Sequence, residues 1–128
     1  VNRLALVTNR AGGLDEIAVF SPTRVSELNQ GQISTYDISP DTYFGRMAAP
    51  EEIAGGDPGQ NAEITKSILS GEKSARRDIV VINAAAALVA AGRAESVENG
   101  VTLAEKAIDS GAAMDKLNAL IEFTTENA

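Results

Sequence analysis

Residues 75–91 read ARRDIVVINAAAALVAA and form the most apolar stretch of the sequence. Apolar side chains would lie on nearly every side of a helix through this stretch, which is typical of a buried central helix. Gly92 follows as a terminator, so the pattern predicts a helix over residues 75–91. Asn83 is a lone polar residue within the apolar run, and we expect it to bond a backbone carbonyl rather than a substrate.

Other helices are predicted around this segment. Residues 61–69 carry apolar side chains at helical spacing and are followed by Gly71. Ser96 is a candidate N-cap for a helix that stops at Gly111, and a last helix follows with apolar residues from 114 to 123. A short helical turn is expected near residues 51–54, inside an irregular segment rich in glycine and proline.

Strands are predicted in the first third of the chain. Residues 4–7 are consistent with a buried parallel strand, and residues 16–20 form a second apolar run. Residues 24–28 and 33–38 flank a turn at 29–32, which predicts an antiparallel hairpin. About four strands followed by four helices indicate either an α+β fold or a slice of a larger α/β sheet, with the helix at 75–91 packed against it.

Composition excludes several kinds of function. The 128 residues include no cysteine and no histidine, which excludes disulfides, thiolate metal sites and a histidine general base. Any bound metal must therefore have oxygen ligands, which favours magnesium, calcium or manganese. The formal net charge of −7 argues against nucleic acid, and no apolar run reaches membrane-spanning length, so we expect neither as a partner.

The stretch Gly12-Gly13-Leu14-Asp15-Glu16 is the main candidate for a metal site. Neighbouring strand residues point to opposite faces, so Asp15 and Glu16 could reach one ion only if the backbone turned there. Carboxylates beside phosphates are how magnesium is usually held. The residues alone nevertheless favour a solvated acidic turn over a metal site.

Two further motifs could bind phosphate but have structural interpretations that we favour. Gly55-Gly56-Asp57 lacks a preceding strand and is followed by Pro58, so we expect a loop and a helix cap. Arg76 and Arg77, with Asp78, lie at the start of the central helix, and we expect them to pair with acidic residues.

A family resemblance runs through nearly the whole chain in order. It is carried by residues 13–17, 23–28, 33–40, 55–57 with 61–62, 75–88 and 107–111. These segments together resemble the carboxyl-terminal part of the anthranilate phosphoribosyltransferase family, in the wider group that includes pyrimidine nucleoside phosphorylases.

The resemblance implies an α/β fold of the nucleoside phosphorylase/phosphoribosyltransferase type, a mixed sheet flanked by helices. Residues 1–128 would be the carboxyl-terminal portion of the α/β domain, without its first half and without the amino-terminal helical domain. The implied enzyme is cytoplasmic and transfers phosphoribose from phosphoribosyl pyrophosphate to anthranilate in tryptophan biosynthesis. A homodimer through the helical domain is also implied.

Asp15 and Glu16 match the Asp-Glu of the family's Gly-Leu-Asp-Glu motif, which implies that both bind Mg²⁺ accompanying the pyrophosphate. The family's glycine-rich pyrophosphate loop, its lysine-containing loop and its anthranilate contacts lie upstream of the resembling region. We therefore expect no catalytic residue in this chain, no activity from it alone, and a sheet with an incomplete edge or face. Thr8-Asn9-Arg10-Ala11 departs from the family's usual sequence, which often carries a His and a Gly there.

Two alternatives remain open at this point. One is a fragment of a pyrimidine nucleoside phosphorylase-like enzyme, whose upstream loops would differ. The other is a non-catalytic domain left by proteolysis or truncation, which the abrupt start of the sequence at Val1 favours.

Overall fold

The structure, a computed structural model, describes residues 13–127 and the backbone of residues 3–8. Strands precede helices along the chain, and the predicted α/β architecture is confirmed for this part of the molecule. The elements in order are strands β1 (Arg3–Thr8), β2 (Thr23–Asn29) and β3 (Gln32–Ile38), helix α1 (Asp41–Phe44), a 3-10 helix (Pro50–Ile53), and helices α2 (Pro58–Leu69), α3 (Ala75–Ala90), α4 (Val97–Asp109) and α5 (Ala112–Glu126).

The three strands form an antiparallel sheet in the order β1-β2-β3. Leu4 lies opposite Leu28, and Val25 lies opposite Tyr36, so the predicted hairpin is confirmed. The expectation of a parallel strand at residues 4–7 is wrong. Parallel neighbours need a crossover, usually a helix, and the described residues between β1 and β2 contain none.

The run at residues 16–20 is a loop that is buried at residues 17–19, so the expectation of a strand there, and of about four strands in all, is wrong for the described part of the chain. Ile17, Ala18 and Val19 are almost fully buried without belonging to a sheet. Burial alone explains the run of apolar residues. Hydrogen bonds from other elements satisfy several N–H and carbonyl groups of this loop.

Helix α3 packs against the sheet through Ile82, as predicted for this segment. Ile82 is fully buried in a cluster with Ile17 and Val19 from the loop and Val25 and Ile38 from the sheet. The helix is not buried all round, because Val80 remains 40% exposed on another face. Its start is capped by Ser74, whose hydroxyl accepts a hydrogen bond from the Arg77 backbone N–H at 3.3 Å.

Helices α3 and α4 approach each other closely at Gly100. A Cβ atom added to Gly100 would lie 2.8 Å from the Ala85 carbonyl oxygen and 2.9 Å from its Cα. Val81, Ala104 and Ile108 form a second core cluster along the same contact. Helix α3 also packs against the sheet and against the loop at residues 17–19. The close contact between α3 and α4 therefore links α4 to the loop.

The remaining helices mostly follow the sequence pattern. Ser96 caps α4, accepting from the Asn99 N–H at 3.2 Å, and the expected turn near 51–54 is the 3-10 helix. Helix α2 begins at Pro58, earlier than predicted, because Asp57 caps it. The end of α5 leaves Leu120, Ile121 and Phe123 exposed.

The outer sides of β1 and β3 have no strand partner among the described residues, so the sheet is open at both edges there. In residues 3–8 and 13–127, no helix combines the length and the apolar composition that crossing a membrane requires.

Replacing Gly100 by alanine is expected to destabilise the protein by roughly 1–3 kcal/mol, because the new methyl group would overlap the backbone of Ala85. The matched control is Gly59→Ala in α2, where the added atom meets only the Asp57 carboxylate at 3.3 Å and helix propensity favours alanine. Urea denaturation midpoints measure both effects. Equal midpoint shifts for the two variants would contradict the close approach.

Candidate functional site

Asp15 and Glu16 lie on an exposed bend immediately before the buried loop. Both carboxylates could face one ion only if the backbone turned at this point. The backbone here is a bend and not extended strand, so that requirement is met. Gly13 precedes it with φ of +69°, a conformation that glycine adopts without strain. The other glycine of the predicted turn, Gly12, and residues 9–11 lie outside the described residues.

The side-chain amide of Asn83 anchors the backbone directly after the two carboxylates. The Ile17 N–H donates to Asn83 Oδ1 at 2.9 Å, and Asn83 Nδ2 donates to the Ile17 carbonyl at 2.8 Å. The same Nδ2 also donates to the Ile79 carbonyl at 2.9 Å, within α3. Asn83 therefore bonds a backbone carbonyl, as predicted, and it does so across 66 residues of sequence.

Two further contacts hold the loop in place. The Ala18 N–H donates to Thr23 Oγ1 at 3.1 Å, and the Ala48 N–H donates to the Val19 carbonyl at 2.9 Å. Thr23 is itself fully buried at the start of β2. The backbone from Ile17 to Val19 is thus fixed by α3, by the sheet and by the segment after α1, while Asp15 and Glu16 remain open to solvent.

The donor set at the bend suits magnesium in part. Two carboxylates supply hard oxygen ligands, and magnesium is commonly held by one or two carboxylates together with substrate phosphates. Within the described residues, no group of three or more Asp or Glu side chains is arranged to hold an ion. Two carboxylates alone would give only a weak magnesium site, which a phosphate ligand would have to complete.

Arg77 is a structural residue, as the sequence analysis favoured. Its guanidinium is 1% exposed and donates to both carboxylate oxygens of Asp109, at 2.7 and 3.1 Å. The hydrogen bond from Arg77 lowers the pKa of Asp109, and the positive charges of Arg77 and Lys73 add to this effect. Arg76 donates to the Ala54 carbonyl at 2.8 Å, so the expected pairing with an acidic residue is confirmed for Arg77 and not for Arg76.

Gly55-Gly56-Asp57 is a capped loop, again as favoured. The Asp57 carboxylate accepts from the Gln60 N–H at 2.9 Å, and Gln60 accepts from the Asp57 N–H at 3.0 Å. The Asn61 side chain bonds both the N–H and the carbonyl of Gly56. The N–H groups of Gly56, Asp57 and Gln60 are therefore already bonded to side chains of Asn61, Gln60 and Asp57.

The anchoring roles of Asn83 and Thr23 were missed by the sequence analysis as parts of the site. A polar residue alone in an apolar helix was a sufficient signal that a buried hydrogen bond exists. Its partner could not be read from the sequence, because Ile17 looks like any other apolar core residue.

The chain matches a known protein family over most of its length. Residues 1–114 match the model of a family described as glycosyl transferase family, a/b domain. The chain is 58% identical over 126 residues to an anthranilate phosphoribosyltransferase of Desulfosudis oleivorans, and 54% identical over 125 residues to one of Syntrophobacter fumaroxidans. Each alignment covers 98% of this chain and 37% of the relative.

Solved structures show the same fold. The anthranilate phosphoribosyltransferase of Thermus thermophilus matches with a TM-score of 0.83 at 32% identity, covering 94% of this chain and 35% of that one. The enzyme of Saccharomyces cerevisiae in complex with PRPP and Mg matches with a TM-score of 0.81 at 23% identity, over 95% of this chain and 35% of that one. This chain thus spans little more than a third of the length of the proteins it matches.

Replacing Asp109 by asparagine is expected to lower the stability at neutral pH, because the buried Arg77 guanidinium would lose the closer of its carboxylate partners, with Glu105 at 3.9 Å remaining. A carboxyl group with a lowered pKa in the folded protein stabilises it above its unfolded-state pKa, and that contribution disappears as pH falls through the lowered value. The difference in melting temperature between the parent and Asp109→Asn should therefore shrink below the ordinary aspartate pKa of 3.8. A difference independent of pH would contradict this, and Asp115→Asn on α5 is the exposed control.

Proposed function

Since this chain belongs to the glycosyl transferase family, a/b domain, we propose that it forms part of an anthranilate phosphoribosyltransferase. Such an enzyme transfers the phosphoribosyl group of phosphoribosyl pyrophosphate to anthranilate in tryptophan biosynthesis. The observation that carries the proposal is the exposed Asp15-Glu16 bend, anchored to the core by Asn83. The identity of 58% to a protein of that name supports the same assignment over a pyrimidine nucleoside phosphorylase-like enzyme.

The role of the chain in this reaction is to help bind and orient the pyrophosphate leaving group. The bond from the ribose to the pyrophosphate breaks while the amino nitrogen of anthranilate bonds to the same ribose carbon and then releases a proton. Negative charge builds on the departing pyrophosphate oxygen. Bound magnesium would supply the positive charge that stabilises this oxygen. Asp15 and Glu16 would hold the ion from the protein side, and their anchored backbone would keep both carboxylates in one place while the substrate binds.

The substrates and the ion are supported by related structures. One Saccharomyces cerevisiae structure is a complex with PRPP and Mg, and another is a complex with 4-fluoroanthranilate. No acid-base chemistry from this chain is required for the proposed role, which agrees with its lack of histidine.

The same proposal implies how the domains of the complete enzyme are arranged along its sequence. Residues 1–128 would be the carboxyl-terminal portion of the α/β domain, and the helical domain and the first half of the α/β domain would come from the rest of a longer polypeptide. The pyrophosphate loop and the anthranilate contacts would lie there, together with the surface for homodimer formation. We propose a cytoplasmic location, as for a biosynthetic enzyme acting on these charged metabolites.

The 128-residue chain alone is expected to show no transferase activity, because it would supply only the carboxylate bend of the active site. An assay of the purified chain with phosphoribosyl pyrophosphate, anthranilate and magnesium measures this. The longer protein containing the same chain is the positive control. Turnover by the short chain that Asp15→Asn abolishes would contradict the proposed division of the active site.

Substitutions Asp15→Asn and Glu16→Gln in the longer protein are expected to raise the magnesium concentration needed for half-maximal substrate binding by about tenfold or more. Each removes one negative charge from the bend without changing side-chain shape. Titration of magnesium at fixed phosphoribosyl pyrophosphate measures the change. Asp115→Asn and Glu122→Gln, both exposed on α5, are the matched controls and should leave the titration unchanged. Normal magnesium dependence in both bend variants would show that Asp15 and Glu16 are ordinary turn residues.

A further inference from the structure

We propose that Asn83 is a positioning residue for the metal-binding carboxylates Asp15 and Glu16, although it touches neither the ion nor the substrate. This inference rests on the proposed function. In this role, one side chain of the central helix holds the metal-binding bend at a defined geometry.

The hydrogen bonds of Asn83 determine the direction of the backbone that leaves Glu16. The peptide unit joining Glu16 to Ile17 carries the Ile17 N–H, which donates to Asn83 Oδ1 at 2.9 Å. The next peptide unit carries the Ile17 carbonyl, which accepts from Asn83 Nδ2 at 2.8 Å. With both planes held, rotation about the Ile17 backbone has little freedom. The Cα atom of Glu16 belongs to the first of these planes, so its position is held as well.

An amide is the side chain that this position requires. The Asn83 Nδ2 faces two carbonyl acceptors, from Ile17 and Ile79, while its Oδ1 faces one N–H donor. Only one orientation of the amide satisfies all three groups. An aspartate would keep the acceptor but present a negative oxygen to two carbonyls, and an alanine would leave the Ile17 N–H and carbonyl without these bonds.

The anchoring occurs at the boundary between core and solvent. Ile17 is fully buried, and Glu16 beside it is exposed. Movement of Ile17 by a fraction of an ångström would therefore displace the carboxylates relative to a bound phosphate, without opening the core. The expected result of losing Asn83 is weaker magnesium-dependent substrate binding, with a smaller effect on the rate at saturating magnesium and substrate.

The test uses the longer protein with Asn83→Asp and Asn83→Ala. Asn83→Asp is nearly isosteric and is the variant of choice if the alanine protein folds poorly. The matched control is Val81→Ala, a buried position on the same helix that packs toward α4 and not toward the loop. It reports what a loss of stability in α3 does by itself.

Two measurements are made on each protein. Hydrogen exchange of the Ile17 amide reports the anchoring directly and does not depend on activity. Magnesium titration of phosphoribosyl pyrophosphate binding, by calorimetry in the absence of anthranilate, reports the geometry of the carboxylates. We expect Asn83→Ala to speed Ile17 exchange about fivefold or more, because it removes the acceptor of the Ile17 N–H. Both Asn83 variants should weaken magnesium-dependent binding roughly tenfold, because both lose the bond to the Ile17 carbonyl. Val81→Ala should change neither measurement beyond what its lowered melting temperature explains.

The outcomes separate this inference from the proposed function. Asp15→Asn is run beside the Asn83 variants as the reference for direct loss of a ligand. If Asp15→Asn weakens magnesium-dependent binding and the Asn83 variants behave like Val81→Ala, the positioning role is wrong and the proposed function stands. If Asp15→Asn and Glu16→Gln also leave binding unchanged, the proposed site itself is wrong, and the positioning role is wrong with it. Unchanged exchange of Ile17 in Asn83→Ala would overturn the anchoring contact.

Discussion

The hydrogen bonds between the Asn83 side chain and the Ile17 backbone are the contact on which the candidate site depends. Residues 17–19 run through the core without forming a strand, so no neighbouring strand satisfies their N–H and carbonyl groups. An unsatisfied backbone group in the core would cost free energy comparable to a lost hydrogen bond. Asn83 bonds both the N–H and the carbonyl of Ile17, Thr23 accepts from the Ala18 N–H, and the Ala48 N–H donates to the Val19 carbonyl.

This arrangement places a firmly held backbone next to an exposed pair of carboxylates. A metal site shared with a substrate phosphate gains from such a design, because the carboxylates need not be ordered at the moment of binding. The carboxylates of Asp15 and Glu16 are exposed to solvent, which leaves room for the phosphate and for the water ligands that magnesium retains. In the proposed function, the bend would bind an ion together with its phosphate ligand rather than an ion alone.

Contacts with α4 and with the sheet hold α3 in the position that the hydrogen bonds between Asn83 and Ile17 require. Gly100 lets α4 approach the backbone of Ala85, and the buried Arg77 ties the start of α3 to Asp109 at the end of α4. Ile82 then packs α3 onto the loop and the sheet. Asn83 lies on α3 and moves whenever this helix moves. Because α3 is held on two sides, the position of Asn83 is fixed as well.

The sequence by itself determined the helices, the hairpin and the residue types available for chemistry. Periodic apolar residues, Ser96 as a cap and the turn at 29–32 are local signals, and local signals can be read without knowing the fold. The Asp15-Glu16 pair was also visible, as was the need for a buried partner at Asn83. Only the tertiary structure decided that residues 16–20 are a loop, that β1 is antiparallel to β2, and that Asn83 meets Ile17. These depend on contacts between residues far apart in the chain, and an apolar run looks the same in sequence whether a strand or a side-chain amide satisfies its backbone.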